Sequence, residues 1–272
     1  MMFFIIFLIC IFVLYLWMIT PNLFRRAALK KFNHTEFAHR GLHSGDFHVP
    51  ENSMAAFRAA LLRGLGIELD VHLTKDGRIV VFHDDTLKRM CGLDKYIEDM
   101  TYTELVSLPL LGSSERIPLL EDVLSLVDGR VPLLIEVKLP RKSLAVCRAL
   151  QKELASYKGE YLIQSFNTLV LYWFRKNAPD ILRGQLSANL IREDKSNPYI
   201  LRLFVQFLLT NFLGKPDFIS YSLKDTSNIS FLINRHIFRA PTAVWTLTTK
   251  KALDKGRKLH NMVIFERIHE NY

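Results

Sequence analysis

Two carboxylates separated by a single residue give the first indication of chemistry in this sequence. Glu68 and Asp70 alternate with apolar residues along a probable strand. Because side chains alternate between the two faces of a strand, both carboxylates point to one face. Like charges in a closed site need a shared proton or a cation. A third acid, Glu136, lies in another apolar run. Three oxygen ligands without softer partners predict a Mg²⁺ or Ca²⁺ site.

Two histidines follow predicted strands. His39 ends the first strand and His83 ends a later one. In barrels of alternating strands and helices, active sites are built at the carboxyl ends of the strands. Imidazoles change charge near neutral pH, so this pair is predicted to act as general acid and general base. Structural roles are assigned to four further histidines: His43, His48, His72 and His260. Of these, His72 lies two residues after Asp70, so its side chain can share a face with the acids.

Polar residues next to these groups are candidates for substrate contacts. Arg40 follows the first histidine, and a planar guanidinium can hold a phosphate through two hydrogen bonds. Lys138 lies two residues after the third acid, so it is expected either to bind phosphate or to pair with a carboxylate of the metal site. Glu51 and Asn52 precede a helical pattern. Asn52 is predicted to cap that helix, and Glu51 could reach the metal or a substrate hydroxyl.

The elements that must position these residues alternate between short apolar runs and helical patterns. Such alternation indicates an α/β barrel or a doubly wound sheet. The candidate strands cover residues 37–38, 67–71, 79–82, 133–137, 161–163, 182–185, 218–220, 243–246 and 263–265. These nine exceed the eight strands of a TIM-type barrel. The turn signal Asp76-Gly77 indicates that one neighbouring strand lies outside it.

Helical patterns lie between the strands. They cover residues 53–63, 101–108, 119–127, 143–156 and 168–177, and the second begins with the capping-box pattern T-x-x-E. A strongly apolar stretch at 199–212 carries a single charge. It is too short to cross a bilayer, so it is either a barrel helix or a segment that dips into the membrane interface.

The N-terminus has the composition of a transmembrane helix. Residues 1–20 contain no charged side chain, and a helix of this length spans roughly 30 Å, the thickness of a bilayer core. Tyr15 and Trp17 suit the membrane interface. The basic start and small-residue cleavage site of a secretory signal are not evident. We therefore expect a retained single-pass anchor at 1–20 instead of a buried core helix, a basic connector at 21–36 and one catalytic domain at 37–272.

Charge and cysteine content bear on partners and location. The net charge of +9 suits a membrane surface or an anionic substrate. No nucleic-acid-binding motif is recognisable, so no nucleic-acid partner is expected. The three cysteines are far apart and imply no disulfide framework. The apolar segment is followed by four basic residues: Arg25, Arg26, Lys30 and Lys31. They favour a location at the cell membrane, with the catalytic domain on the cytoplasmic side.

Six motifs in order carry a resemblance to a known family. They are H-R-G at 39–41, P-E-N-S at 50–53, G-I-E-L-D-V at 66–71, L-T-K-D-G at 73–77, V-V-F-H-D at 80–84 and I-E-V-K at 135–138. This series resembles the glycerophosphodiester phosphodiesterase family over about residues 37–266. Two departures concern the loop at 41–50, which is longer than expected, and the segment N-M-V-I-F-E at 261–266. The family usually has G-V-D-G-I-I-T-D there, and we expect this end to be mostly structural.

The resemblance implies a TIM barrel and metal-dependent hydrolysis of glycerophosphodiesters to glycerol phosphate and an alcohol. The implied roles are acid–base catalysis for His39 and His83, binding of Mg²⁺ or Ca²⁺ for Glu68, Asp70 and Glu136, phosphate contact for Arg40 and Lys138, and lining of the pocket for Trp245. The nucleophile is either water or a glycerol hydroxyl of the substrate. Two alternatives are a phospholipase acting on lysophospholipids or phosphatidylglycerol and a noncatalytic lipid-binding barrel. The oligomeric state stays open.

Overall fold

Eight parallel strands close into a barrel in the computed structural model, which describes residues 1–141, 143–193 and 197–268. The strands are β1 (Thr35–Ala38), β2 (Gly66–Leu73), β3 (Ile79–Val81), β4 (Leu133–Val137), β5 (Tyr161–Ser165), β6 (Arg183–Ser187), β7 (Phe218–Ser222), β8 (Thr242–Leu247) and β9 (Met262–Phe265). Around the barrel the order is β1-β2-β4-β5-β6-β7-β8-β9, and β1 pairs with both β2 and β9. The expected TIM-type barrel is confirmed.

One strand lies outside the barrel, as the Asp76-Gly77 turn predicted. β3 runs antiparallel to the end of β2, with Val71 opposite Val81. Gly77 has a φ of 78°, which a glycine adopts without strain. The remaining strands match their predicted positions to within a few residues. The first begins at Thr35, inside the predicted connector, because its two opening residues are polar and broke the apolar pattern.

Helices surround the barrel. They are α1 (Met2–Ile19), α2 (Arg26–Leu29), α3 (Met54–Leu62), α4 (Lys88–Cys91), α5 (Tyr102–Leu105), α6 (Leu120–Val127), α7 (Ala145–Leu154), α8 (Thr168–Asn177), α9 (Leu190–Glu193), α10 (Tyr199–Gln206), α11 (Asn211–Gly214), α12 (Ile229–Leu232) and α13 (Lys250–Leu259). Short 3₁₀ turns cover Lys30–Phe32, Ile97–Asp99, Leu110–Gly112 and Leu223–Asp225, and a π-helical turn covers Ile233–Ile237.

Helix starts follow local capping chemistry. The predicted capping box at Thr101 is present, although α5 ends at Leu105. The predicted cap of α3 is wrong by one residue. Ser53, not Asn52, accepts the hydrogen bond from the backbone amide of Ala56. The chain adopts a left-handed φ of 53° at Asn52, which turns its side chain away from the helix.

Two apolar layers fix the direction in which the site opens. Ile67, Leu69 and Val71 of β2 pack between the strands and the outer helices, so the alternate residues face the barrel interior, as predicted. At the amino ends of the strands, Leu29 and Phe32 pack with the interior apolar side chains. The segment before β1 therefore closes the bottom of the barrel and leaves its carboxyl end open.

Two apolar segments lie at the periphery. α1 has 18 residues and a mean hydropathy of 3.0, so it is long and apolar enough to cross a membrane, as signal sequences also are. Only 6% of it is buried against the rest of the described structure. Its low burial excludes a core helix. The 199–212 stretch divides into α10 and α11. Val205 and Gln206 are buried, whereas Tyr199 and Ile200 are exposed, so this stretch is only partly a core element.

Candidate active site

The three predicted metal-binding acids meet inside the barrel. Glu68 and Asp70 project from β2, and Glu136 projects from β4, directly opposite Asp70 in the strand register. Each offers a carboxylate oxygen within 4.8 Å of the other two, and all three side chains are buried. The pairing of adjacent strands therefore converts two separate sequence motifs into one cluster of oxygen donors.

Burial and mutual repulsion set the charge of this cluster. Burial, together with Asp70 and Glu136, raises the pKa of Glu68 well above its usual range. Burial also raises the pKa of Glu136 to about 7, although Lys138 acts in the opposite direction. Burial disfavours the charge on Asp70 too, but Lys138 and the nearby histidine and arginine side chains lower its pKa well below its usual range. A divalent cation would let all three carboxylates ionise together.

Lys138 contacts two of these acids. Its Nζ lies 3.0 Å from Oδ1 of Asp70 and 2.6 Å from Oε1 of Glu136. Of the two alternatives drawn from the sequence, the structure shows the pairing with carboxylates. The lysine thus neutralises part of the negative charge and fixes the position of both side chains.

His39 lies directly after β1 and is held by a carboxylate. Its Nδ1 lies 2.8 Å from Oε2 of Glu266, and its Nε2 lies 3.9 Å from Oε2 of Glu68. Burial lowers the pKa of His39, while Glu266 raises it. Residues 262–265 form a strand, as expected, but the contact of Glu266 with the predicted catalytic histidine was not predicted from the sequence. The available signal was barrel closure, which makes β1 and β9 neighbours.

His83 has the same type of partner. Its Nδ1 lies 2.6 Å from Oδ1 of Asp84, and Arg89 donates two hydrogen bonds to that carboxylate. Burial lowers the pKa of His83. As predicted, this histidine lies close to the end of a strand, and that strand is the antiparallel β3. The hairpin therefore carries His83 back to the open end of the barrel.

A glycine allows Arg40 to enter the site. Arg40 and Gly41 have φ values of 55° and 78°, and a Cβ on Gly41 would lie 2.8 Å from the Cβ of Ala56. The backbone amide of Arg40 donates to Glu68 at 3.0 Å. Its guanidinium Nη1 donates to Oε1 of Glu51 at 2.7 Å. The H-R-G motif therefore combines a tight turn with a fixed guanidinium.

Glu51 and Asn52 contact residues of the site but do not line its cavity. Glu51 accepts hydrogen bonds from Arg40 and Arg89 and lies outside the three-acid cluster. Nδ2 of Asn52 donates to Oδ2 of Asp70 at 2.9 Å. Glu51 thus orients a guanidinium, and Asn52 orients an acid of the cluster.

A cavity of about 110 Å³ brings these groups together. It is lined by both predicted catalytic histidines, by Glu68 and Glu136, and by Arg40, Lys138 and Trp245. Asp70 lies beneath its surface, and Glu51 and Asn52 do not line it. Trp245 forms one wall, 5.6 Å from the ring of Phe166 in an edge-on arrangement. Within the described part of the chain its Nε1 is buried and has no hydrogen-bond partner, so it is a donor available to a ligand.

The four histidines assigned structural roles do not line this cavity. His72 is buried, and its Nε2 lies 3.3 Å from the backbone oxygen of His83. His260 contacts Thr242 at 3.0 Å. His43 is buried 3.9 Å from Glu266, and His48 is exposed. His72 therefore contacts the backbone of the loop that carries His83.

Comparison with known proteins agrees with this geometry. The model of the glycerophosphoryl diester phosphodiesterase family matches residues 39–264. A glycerophosphodiester phosphodiesterase of Bacillus altitudinis is 36% identical over 169 residues, which cover 58% of this chain and 68% of that protein. A lysophospholipase D of Homo sapiens is 39% identical over 122 residues, 43% of this chain and 36% of that protein.

A solved structure extends the comparison to the fold. A glycerophosphodiester phosphodiesterase of Thermotoga maritima has a TM-score of 0.65 and 27% identity, and the match covers 85% of this chain and 93% of that one. The family match begins at His39, directly after β1, and includes every residue that lines the cavity. The chain therefore belongs to the glycerophosphoryl diester phosphodiesterase family, whose members are phosphoric diester hydrolases.

Proposed function

We propose that this chain hydrolyses glycerophosphodiesters to glycerol phosphate and an alcohol by acid–base catalysis beside a divalent metal ion. One observation carries the proposal: three buried acids and two carboxylate-held histidines line or underlie a single cavity. Arg40 at the same cavity supplies a fixed cation for a phosphate.

The acid cluster fits a hard cation. Glu68, Asp70 and Glu136 offer oxygen donors alone, and burial together with repulsion disfavours the ionisation of Glu68 and Glu136 without added positive charge. Such donors suit Mg²⁺ or Ca²⁺. When bound there, the ion supplies electrostatic stabilisation of the charge that develops on the phosphate oxygens. Lys138 and Asn52 hold the ligand carboxylates in place.

The histidines are suited to proton transfer. The Nδ1 of each ring is occupied by a carboxylate, Glu266 for His39 and Asp84 for His83, so Nε2 is the nitrogen left for the substrate. Burial lowers both pKa values, which keeps a neutral ring available near pH 7. In the proposed reaction the neutral ring takes the proton of the nucleophile at Nε2. The other ring, whose carboxylate partner favours its protonated form, donates a proton from Nε2 to the leaving oxygen.

Arg40, Lys138 and Trp245 complete the proposed substrate site. In this proposal Arg40 contacts the phosphate, since this residue lines the cavity. Lys138 contributes positive charge there while it pairs with the ligand acids. Trp245 offers an apolar wall and an unpaired N–H within the described structure.

A second candidate activity is phospholipase action on lysophospholipids or phosphatidylglycerol. Two observations favour it: the similarity to a lysophospholipase D and the apolar helix α1. A noncatalytic lipid-binding role has less support, because the cavity holds both histidines and all the proposed phosphate contacts.

We also propose that α1 anchors the chain in the cell membrane with the barrel in the cytoplasm. Its hydropathy supports an anchor, and the four basic residues at 25–31 support this orientation. Arg25 is paired with Asp217 and Lys31 with Glu160 on the barrel. Protease added to intact cells should leave the barrel uncut, and digestion from outside would reverse the assignment.

A substrate panel tests the proposed activity. Purified full-length chain in detergent is incubated with glycerophosphocholine, glycerophosphoethanolamine and a lysophospholipid, and the phosphate-containing product is identified. Release of glycerol phosphate from the soluble substrates supports the proposal. Turnover of the lysophospholipid alone would favour the second candidate, and no turnover of any substrate would contradict both.

A further inference from the structure

An exposed apolar surface occupies the rim of the barrel beside β6 and β7. It comprises four residues, which we call the rim patch: Tyr199, Ile200 and Leu201 of α10 and Ile229 of α12, with exposed fractions of 55%, 70%, 43% and 56%. α10 follows the carboxyl end of β6, and α12 follows that of β7. The patch therefore belongs to the end of the barrel where the cavity opens.

The patch lies next to the attachment of α1. Tyr15 Oη lies 2.8 Å from Oγ of Ser230, the residue that follows Ile229. Trp17 stacks on Phe212 with ring centroids 4.7 Å apart. Residues 1–14 are exposed along their whole length. The apolar helix thus leaves the barrel at the level of Ile229.

Buried residues join α10 and α12, the two helices that carry the rim patch. Phe207, next to the end of α10, and Asn228, next to the start of α12, line one crevice. Leu208 packs in the same buried cluster as Phe231 of α12. Leu186 of β6, the strand before α10, lines the active-site cavity. A surface that contacts the rim patch therefore approaches the mouth of the site.

We propose that the rim patch docks on the lipid bilayer into which α1 inserts, with its side chains at the boundary between headgroups and acyl chains. Continuity with α1 identifies the occupant, because a bilayer around residues 1–14 begins where Ile229 is exposed. α10 is too short to span but can lie in the interface, and Tyr15, Trp17 and Tyr199 are residues that prefer this depth. Docking holds the cavity against the membrane, so that phosphodiesters of bilayer lipids reach it directly.

An environment-sensitive fluorophore tests the docking without using catalysis. The full chain with Cys10→Ser and Cys91→Ser is labelled at Ile200→Cys, or at the control Leu62→Cys, and placed in lipid nanodiscs. Leu62 is also exposed and apolar but lies at the end of α3. The label at 200 should emit at shorter wavelength and be quenched by nitroxide lipids, whereas the label at 62 should not. Equal emission and quenching at the two positions would overturn the proposal. Emission at short wavelength from the label at 200 in the absence of lipid would also overturn it.

A second test uses activity, and its interpretation rests on the proposed function. Ile200→Glu with Ile229→Glu should lower turnover of a lysophospholipid in nanodiscs by at least about tenfold and leave turnover of glycerophosphocholine unchanged. Leu62→Glu should change neither. Unchanged lipid turnover, or an equal loss with both substrates, would overturn the docking. A wild-type chain inactive on both substrates would instead contradict the proposed function, and the fluorophore would still decide the docking.

Discussion

The carboxylate of Glu266 lies 2.8 Å from Nδ1 of His39, although the two residues are 227 positions apart in the chain. A neutral imidazole that donates from Nδ1 to a carboxylate presents the lone pair of Nε2. Nε2 is the nitrogen on the side of Glu68. Glu266 therefore positions the ring of His39 and fixes its tautomer.

Glu266→Gln should lower kcat by roughly 10–10², the usual effect of losing an outer hydrogen-bond partner. The carboxylate raises the pKa of His39, so its removal should also move the ionisation of His39 in the rate profile to lower pH. Steady-state kinetics across pH measures both effects. Arg267→Gln, which removes a surface partner of the same carboxylate, is the control. A lower kcat with an unmoved profile would show that Glu266 acts on structure alone.

Substitution of either histidine that lines the cavity should lower turnover, whereas substitution of an exposed histidine outside it should not. His39→Ala and His83→Ala should each lower turnover by roughly 10²–10⁴, the size of a general acid or base contribution. His48→Ala is a matched control, because that ring is exposed and outside the cavity. Circular dichroism should show the same fold in all three variants. Near-normal turnover in either cavity variant would remove that histidine from the proposed mechanism.

Lys138 should be more important to stability without metal than with it. Lys138→Met leaves Asp70 and Glu136 without their shared cation, and breaking a buried ion pair costs up to about 3–5 kcal/mol. Thermal unfolding should show a lower Tm for the variant, and Mg²⁺ or Ca²⁺ should raise that Tm more than it raises the Tm of the wild type.

Lys152→Met, on the exposed side of α7, is the control for a lost lysine. If metal addition raised the Tm of Lys138→Met and of the wild type equally, the ion would not bind beside Lys138.

Glu153 on α7 should make stability depend on pH. Burial and repulsion from Glu121 raise its pKa from 4.5 to about 7. The folded state therefore binds this proton more tightly than the unfolded state. Its contribution to stability is complete below pH 4.5 and is lost as the pH rises through about 7. Glu153→Gln should reduce this fall in Tm, whereas the exposed control Asp180→Asn should not. An unchanged pH dependence in Glu153→Gln would contradict the shifted pKa.

The acid cluster and the barrel could be predicted because they depend on local periodicity. β2 alternates apolar side chains on its outer face with Glu68 and Asp70 on its inner face, and this alternation is visible in eight residues of sequence. The turn at Asp76-Gly77 likewise identified the strand outside the barrel.

The missed contacts depend on barrel closure or on backbone conformation. Glu266 reaches His39 only because the last strand pairs with the first. Asn52 contacts Asp70 because its left-handed φ turns the side chain from the helix to the site. Neither relationship has a local sequence signal, although the pairing of β1 with β9 follows from any closed barrel.

The most direct test of the account is the metal dependence of phosphodiester hydrolysis. Purified full-length chain is assayed by phosphorus NMR with glycerophosphocholine in excess chelator, and again after Mg²⁺ or Ca²⁺ is restored. Because buried Glu68, Asp70 and Glu136 need a cation to ionise together, chelation should abolish glycerol phosphate formation, one of the two ions should restore it, and Glu68→Gln should stay inactive with either. Full turnover in excess chelator would contradict the account.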